Sequence, residues 1–236
     1  MKILISVVNP DEAVEALEGG ADIIDIKDPV KGSLGAPNAD LVDLIVCSLR
    51  GIPYDFVVTS IALGDDPVRS QAKELALIAE KLAIDYAKVG SFGLKDVREA
   101  VNVYRDLKVN AKNLKFVAVA YADYALINCL SPMDMLKATY RSDFDVFMID
   151  TFVKDGRSTF NYLSVEKVLE IKELAHRMGL LFALAGSLGL NHVEVVRKVR
   201  PDIVGFRSAA CGGDRIRRRV TRDRVKVLVK AYKGLQ

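Results

Sequence analysis

Short apolar, β-branched runs recur along the chain and alternate with longer stretches whose apolar residues fall three and four apart. The runs predict strands over Lys2–Val8, Asp22–Lys27, Asp55–Ile61, Asp85–Gly90, Lys115–Tyr121, Asp145–Thr151, Leu180–Gly186 and Asp202–Arg207. The stretches between them predict helices over Pro10–Glu18, Asn38–Leu49, Pro67–Leu82, Leu94–Leu107, Pro132–Arg141, Ser164–Met178, Asn191–Val199 and Thr221–Lys233. Asn9-Pro10 and Ser131-Pro132 read as helix caps followed by proline at the first helical position. Strands that are apolar on both faces belong in a parallel sheet covered by helices. Eight βα units in 236 residues fit a single-domain α/β fold over 1–236, a TIM (β/α)₈ barrel, better than an open doubly wound sheet.

One weak repeat runs through the strands. "ADIIDIK", "IDYAKVG", "FDVFMID" and "PDIVGFR" fall on strands two, four, six and eight, and each carries an early aspartate: Asp22, Asp85, Asp145 and Asp202. The spacing is about sixty residues, or two βα units. An aspartate is also a common residue in such turns, so a duplication and a recurrent turn preference remain equal readings.

Within "GADIIDIKDP" an apolar strand contains Asp25 and ends in Lys27. Alternation places these two on one face, with Ile24 and Ile26 on the other. An isolated buried charge costs several kcal/mol, roughly, unless it is paired or neutralised. In a barrel, chemistry sits at the C-terminal strand ends. Lys27, Lys88, Asp150 and Arg207 all fall there on even-numbered strands, and Lys154 follows in the loop "TFVKDGR". A salt bridge accounts for one such residue, but two lysines, two aspartates (Asp25 and Asp150) and an arginine together at strand ends point to a site. "LAGSLGLN" and "VGFRSAACGG" follow strands seven and eight, where barrels often bind phosphate. Gly186, Ser187, Gly205 and Arg207 are the expected phosphate contacts.

Composition narrows the options. Half the residues are hydrophobic and the net charge is +3, which gives no general argument for nucleic acid or membrane binding. The opening run "ILISVV" is too short for a signal or a membrane span. Cys47, Cys129 and Cys211 lack metal or disulfide spacing, which suits a reduced, cytoplasmic enzyme; each is expected to be a small buried apolar residue. "RIRRRVTRDR" (Arg215–Arg224) has no interleaved aromatic residue, so it reads as a solvated helix entrance. A binding barrel without catalysis is the reading from another class that this run leaves open. His176 and His192 lie away from strand ends, and no metal ligand set is visible.

"GGADIIDIKDPVKGSLGA", "YAKVGSFG", "MIDTFVKDGRSTF", "ALAGSL" and "DIVGFRSAACGGDR" together resemble the (5-formylfuran-3-yl)methyl phosphate synthase family, also called 4-(hydroxymethyl)-2-furancarboxaldehyde-phosphate synthase. The resemblance runs from the first strand to about Asp214, and departs from the family pattern mainly in Arg215–Arg219 and in "YADYALIN". It implies a TIM-barrel lyase of methanofuran biosynthesis that condenses two glyceraldehyde 3-phosphate molecules and releases phosphate and water. It implies a Schiff-base lysine at Lys27, a proton acceptor at Lys88, and supporting roles for Asp150 and Lys154. Asp25, beside Lys27, is the expected proton relay. The resemblance calls for no cofactor and for a small phosphosugar substrate, and leaves a homo-oligomer open. A class I aldolase acting on another phosphosugar is the alternative. An ordinary lysine is unprotonated in only about one molecule in 2,500 at pH 7, so burial and neighbouring cations must lower the pKa of Lys27 for this chemistry.

Overall fold

The computed structural model describes residues 1–51, 57–69 and 71–234. Eight parallel strands close into a barrel in sequential order, the last pairing with the first. They are β1 (Lys2–Val7), β2 (Ile23–Ile26), β3 (Val58–Ala62), β4 (Tyr86–Val89), β5 (Lys115–Tyr121), β6 (Val146–Asp150), β7 (Leu181–Leu184) and β8 (Ile203–Phe206). Eight helices surround them: α1 (Pro10–Glu18), α2 (Ala39–Arg50), α3 (Ala72–Lys81), α4 (Val97–Asn110), α5 (Pro132–Arg141), α6 (Val165–Arg177), α7 (Val193–Val199) and α8 (Arg222–Lys233). The architecture is the expected (β/α)₈ barrel.

Helix starts follow their caps. Asn9 and Ser131 accept the N–H groups of Glu12 and Asp134, as the sequence predicts for α1 and α5. Two helices, α3 and α4, begin three or more residues later than expected, for local reasons. The Asp66 carboxylate accepts the N–H groups of Val68 (2.9 Å) and Arg69 (3.0 Å), which holds a turn where a helix from Pro67 was expected. Asp96 caps α4 by accepting the Glu99 N–H at 2.8 Å, so Leu94 and Lys95 stay outside it. Residues 55 and 56 of the expected third strand, and residue 70, lie outside the described residues.

Two apolar layers result. The larger lies between sheet and helices and takes Ile24, Ile26, Ala87 and Ile149. The smaller fills the barrel with Leu4, Ile23, Val117, Val119, Met148 and Ala183. Alternation therefore aims Asp25, Lys88 and Asp150 inward, as read from the sequence. Leu34, from the loop after β2, is also fully buried in the inner layer, so this loop folds back over the barrel mouth.

The four repeated aspartates have one shared job at the opposite, N-terminal face. Asp22, Asp85, Asp145 and Asp202 accept the backbone N–H groups of Ile3 (2.7 Å), Thr59 (2.8 Å), Phe116 (2.9 Å) and Phe182 (2.8 Å). Each thus ties an even strand to the odd strand before it. Two residues ahead of each aspartate the backbone turns left-handed, at Gly20, Ala83, Asp143 and Arg200 (φ 91°, 52°, 55° and 53°). The recurrence has a structural function, whatever its origin.

Candidate active site

The C-terminal mouth holds an inner pocket lined by Ser6, Lys27, Lys88, Asp150, Arg207 and Arg215, among others, with about 30 Å³ of free volume. That holds one or two waters and little else. It opens to an outer vestibule of about 810 Å³ beneath the loops after β2, β6, β7 and β8. Every charged residue expected at the strand ends is here. Asp25, Lys27, Lys88, Asp150 and Arg207 are all at most 7% exposed, too deep to be ordinary surface charges.

Three of the cations are neutralised by ion pairs. Lys88 Nζ donates to Asp25 Oδ2 at 2.6 Å, and Ser6 Oγ donates to the same oxygen at 2.7 Å. Lys154 Nζ donates to Asp150 Oδ1 at 2.7 Å, and that oxygen also accepts the Thr151 N–H at 2.7 Å. Arg207 pairs with Glu12, donates from Nη1 to the Ser6 carbonyl at 3.0 Å, and donates from Nε to the Arg215 carbonyl at 3.1 Å. With Nη2 also donating to Glu12 at 3.3 Å, Arg207 keeps a single N–H for any ligand.

Lys27 differs from these. Its ammonium faces the inner pocket and, among the described residues, donates only to the Ser33 carbonyl, at 3.3 Å. Burial, then the charges of Lys88 and Arg215, lower its pKa to about 7, against the smaller pull of Asp150 and Asp25. Burial works against the charge of Asp150, but Lys154 and Lys27 outweigh it and hold the carboxyl below its usual value. The pocket therefore presents an amine that is substantially unprotonated at neutral pH, beside a lysine–carboxylate pair. Asp25 Oδ1 is buried without a partner, an acceptor left open next to that amine.

The surrounding loops hold Lys27 in place. Ser33 Oγ donates to the Thr151 carbonyl at 2.8 Å, joining the β2 loop to β6. Asp65 accepts the Leu34 N–H at 3.1 Å and the Tyr121 hydroxyl at 2.6 Å, and burial raises its pKa. Beyond β7, Gly186 (φ 94°) and Ser187 (φ 51°) form a left-handed turn; a Cβ on Gly186 would run into Thr159 Oγ1. Thr159 in turn holds this loop, its Oγ1 donating to the Ala185 carbonyl at 2.7 Å. Gly186, Ser187 and Gly205 all line the inner pocket.

The profile of the 4-HFC-P synthase family matches residues 3–229. The chain belongs to that family. It is 38% identical over 239 residues to the (5-formylfuran-3-yl)methyl phosphate synthase of Archaeoglobus fulgidus, covering 99% of this chain and all of the relative. It is 40% identical over 236 residues to the synthase of the same name from Methanopyrus kandleri, covering 98% of each. Among solved structures, thiamine phosphate pyrophosphorylase from Pyrococcus furiosus overlays with a TM-score of 0.67 at 16% identity, covering 99% of this chain and 96% of that one. That similarity carries the barrel fold alone.

Membership of the 4-HFC-P synthase family makes the chain an enzyme of 4-HFC-P formation. Among the described residues, no helix is long and apolar enough to cross a membrane.

Sequence reasoning missed three members of this site. Glu12, on α1, is buried and pairs with Arg207 across 195 residues of chain. Asp65 follows β3 and sits beside Asp66 in a loop that the sequence alone did not tie to the other strand ends. Arg215 was grouped with a solvated run; Arg217–Arg219 are exposed as expected, but Arg215 is half-buried and lines both pockets. The cysteine reading also needs correction. Cys211 is buried, but Cys47 is exposed on the outer side of α2 because it points away from Val46 and Leu49.

Proposed function

We propose that the enzyme condenses two molecules of glyceraldehyde 3-phosphate into 4-HFC-P through an iminium on Lys27. The observation that carries this reading is Lys27 itself, a buried lysine with a pKa of about 7 and no carboxylate of its own, facing the pocket. An amine must be unprotonated to attack a carbonyl, and burial removes most of the handicap a lysine ordinarily has.

In this reading the Lys27 amine adds to the first aldehyde, and loss of water gives the iminium. Its positive charge makes the adjacent C–H acidic. Lys88, partnered by Asp25, removes that proton after passing its own to the carboxylate, and the electron pair expels phosphate from the neighbouring carbon. Loss of phosphate leaves an enol conjugated to the iminium. Its terminal carbon attacks C2 of the second triose phosphate, which reacts as its ketone isomer after a proton shift from C2 to C1. The hydroxyl on C1 of that second unit then closes the ring, with loss of two waters, to give the furan. Hydrolysis of the last iminium returns the free amine. Asp150 and Lys154 move protons at the carbinolamine and dehydration steps. Gly186, Ser187 and Gly205 make room and backbone contacts for phosphate, with Arg207 holding the wall behind them through Glu12. The chemistry is that of a lyase, and it runs without an organic cofactor.

The test is incubation of purified enzyme with glyceraldehyde 3-phosphate alone, with products followed by mass spectrometry and furan absorbance. Borohydride added during turnover should leave a reduced adduct on Lys27. Lys27→Arg should lose both adduct and product, because guanidinium stays protonated. Lys88→Arg should keep the adduct and lose at least about 100-fold in product formation, the usual worth of a general base. A reduced adduct on Lys88 or Lys154, with Lys27→Arg still active, would overturn the assignment. An aldol product without furan would favour the aldolase alternative.

A further inference from the structure

We propose that Arg215 binds the phosphate group of a phosphoric monoester aldehyde at the constriction between vestibule and inner pocket, while the carbonyl end reaches Lys27. The inference rests on the condensation reading for the aldehyde, and on the geometry of Arg215 for the anion.

Only two of the cations lining the inner pocket lack a carboxylate partner among the described residues. One is Lys27 and the other is Arg215, since Lys88, Lys154 and Arg207 are paired with Asp25, Asp150 and Glu12. Lys27 avoids the cost of an unpaired charge by its lowered pKa. A guanidinium has no such escape, because it stays protonated at any working pH. A half-buried permanent charge without a counterion is unfavourable, and it becomes favourable when an anion arrives.

The donors of Arg215 fit that role. Its Nη2 donates to the Gly32 carbonyl at 3.0 Å, which fixes the side chain against the β2 loop. Its Nε is shut off from solvent and has no hydrogen-bond partner. Its own carbonyl is held by Arg207 Nε at 3.1 Å, so the base of the residue is anchored too. An anchored guanidinium that spends one of its five N–H groups on Gly32, and whose Nη1 has no partner among the described residues, is prepared to grip an oxyanion with little loss of freedom.

Position selects phosphate over smaller anions. Arg215, Lys154, Ser187 and Ser208 line both compartments, so they surround the neck between them. The inner compartment, at about 30 Å³, has no room for a phosphate and a triose together, whereas the vestibule, at about 810 Å³, has ample room. A substrate reaching Lys27 with its carbonyl must leave its other end at or above this neck. There the two serine hydroxyls and the turn at Gly186 and Ser187 supply further donors beside the two cations. Arg217 and Arg218, outside the neck and exposed, take no part.

Two measurements on the full-length protein test this. Inorganic phosphate is titrated calorimetrically into wild type, Arg215→Gln, Arg215→Lys, Arg217→Gln and Arg218→Gln. Loss of a charge-assisted donor should weaken phosphate binding by about 10- to 100-fold in Arg215→Gln. Arg215→Lys should fall between it and wild type, and the two outer variants should match wild type. Borohydride trapping at Lys27 is then compared for glyceraldehyde 3-phosphate and unphosphorylated glyceraldehyde. The preference of wild type for the phosphorylated aldehyde should shrink by a similar factor in Arg215→Gln. Equal phosphate affinity in wild type and Arg215→Gln, or none in either, would overturn the proposal. Should Arg215→Gln fail to fold, Arg215→Lys decides: binding as tight as wild type would argue against a role for the guanidinium fork. Failure of wild type to trap either aldehyde, with the phosphate result as expected, would remove the Schiff-base reading and leave the anion site standing.

Discussion

Lys27 shows how far a single residue is shaped for reaction at the expense of stability. Its pKa falls from 10.5 to about 7 on folding, so between those values the unfolded chain binds more protons than the native one. The penalty is therefore full below about pH 7 and is relieved as pH rises toward 10.5, and it amounts to roughly 5 kcal/mol at most. Lys27→Met should accordingly stabilise the protein near neutrality, by about 1–3 kcal/mol once packing losses are included. The advantage over wild type should shrink as pH rises from 7 to 9.5, which urea unfolding at several pH values would show. A gap that widens with pH would mean that Lys27 is not held with a lowered pKa. Alternation within "DIIDIK" was enough to place Lys27 and Asp25 on one face. The partner of Asp25 was not readable, because Lys88 lies 63 residues away and meets it only when the barrel closes.

Strands and helices were largely legible because their signals are local: apolar runs, caps and prolines. Errors fell where one polar side chain redirects a turn, as Asp66 does ahead of α3. The aspartates at the starts of β2, β4, β6 and β8 were visible as a spacing, but their purpose depends on register between strands. Asp85 illustrates it, accepting both the N–H (2.8 Å) and the hydroxyl (3.1 Å) of Thr59. Asp85→Ala leaves that buried N–H without a partner and should cost about 1–3 kcal/mol in urea unfolding. Borohydride trapping at Lys27 should proceed at an unchanged rate, since this element lies at the face away from the mouth. A loss of trapping with unchanged stability would contradict the division between the two ends of the barrel.

At the scale of the whole molecule, nearly all the buried charge sits at one end. Lys88–Asp25, Arg207–Glu12 and Lys154–Asp150 surround the mouth, while the other end is closed by carboxylate-to-backbone bonds. Such pairs contribute little to stability in temperate water, because dehydrating both charges nearly cancels their attraction. Heat changes that balance: hydration of ions has a strongly negative entropy, so the cost of dehydration falls as temperature climbs. Replacing Lys88 and Asp25 together by Met and Leu should therefore raise stability at 25 °C, by about 1–4 kcal/mol, and by clearly less near about 60 °C. Chemical unfolding at a series of temperatures would reveal the trend, and a gain that grows on warming would refute it. The same mouth that weakens the cold enzyme becomes, degree by degree, its more heat-tolerant half.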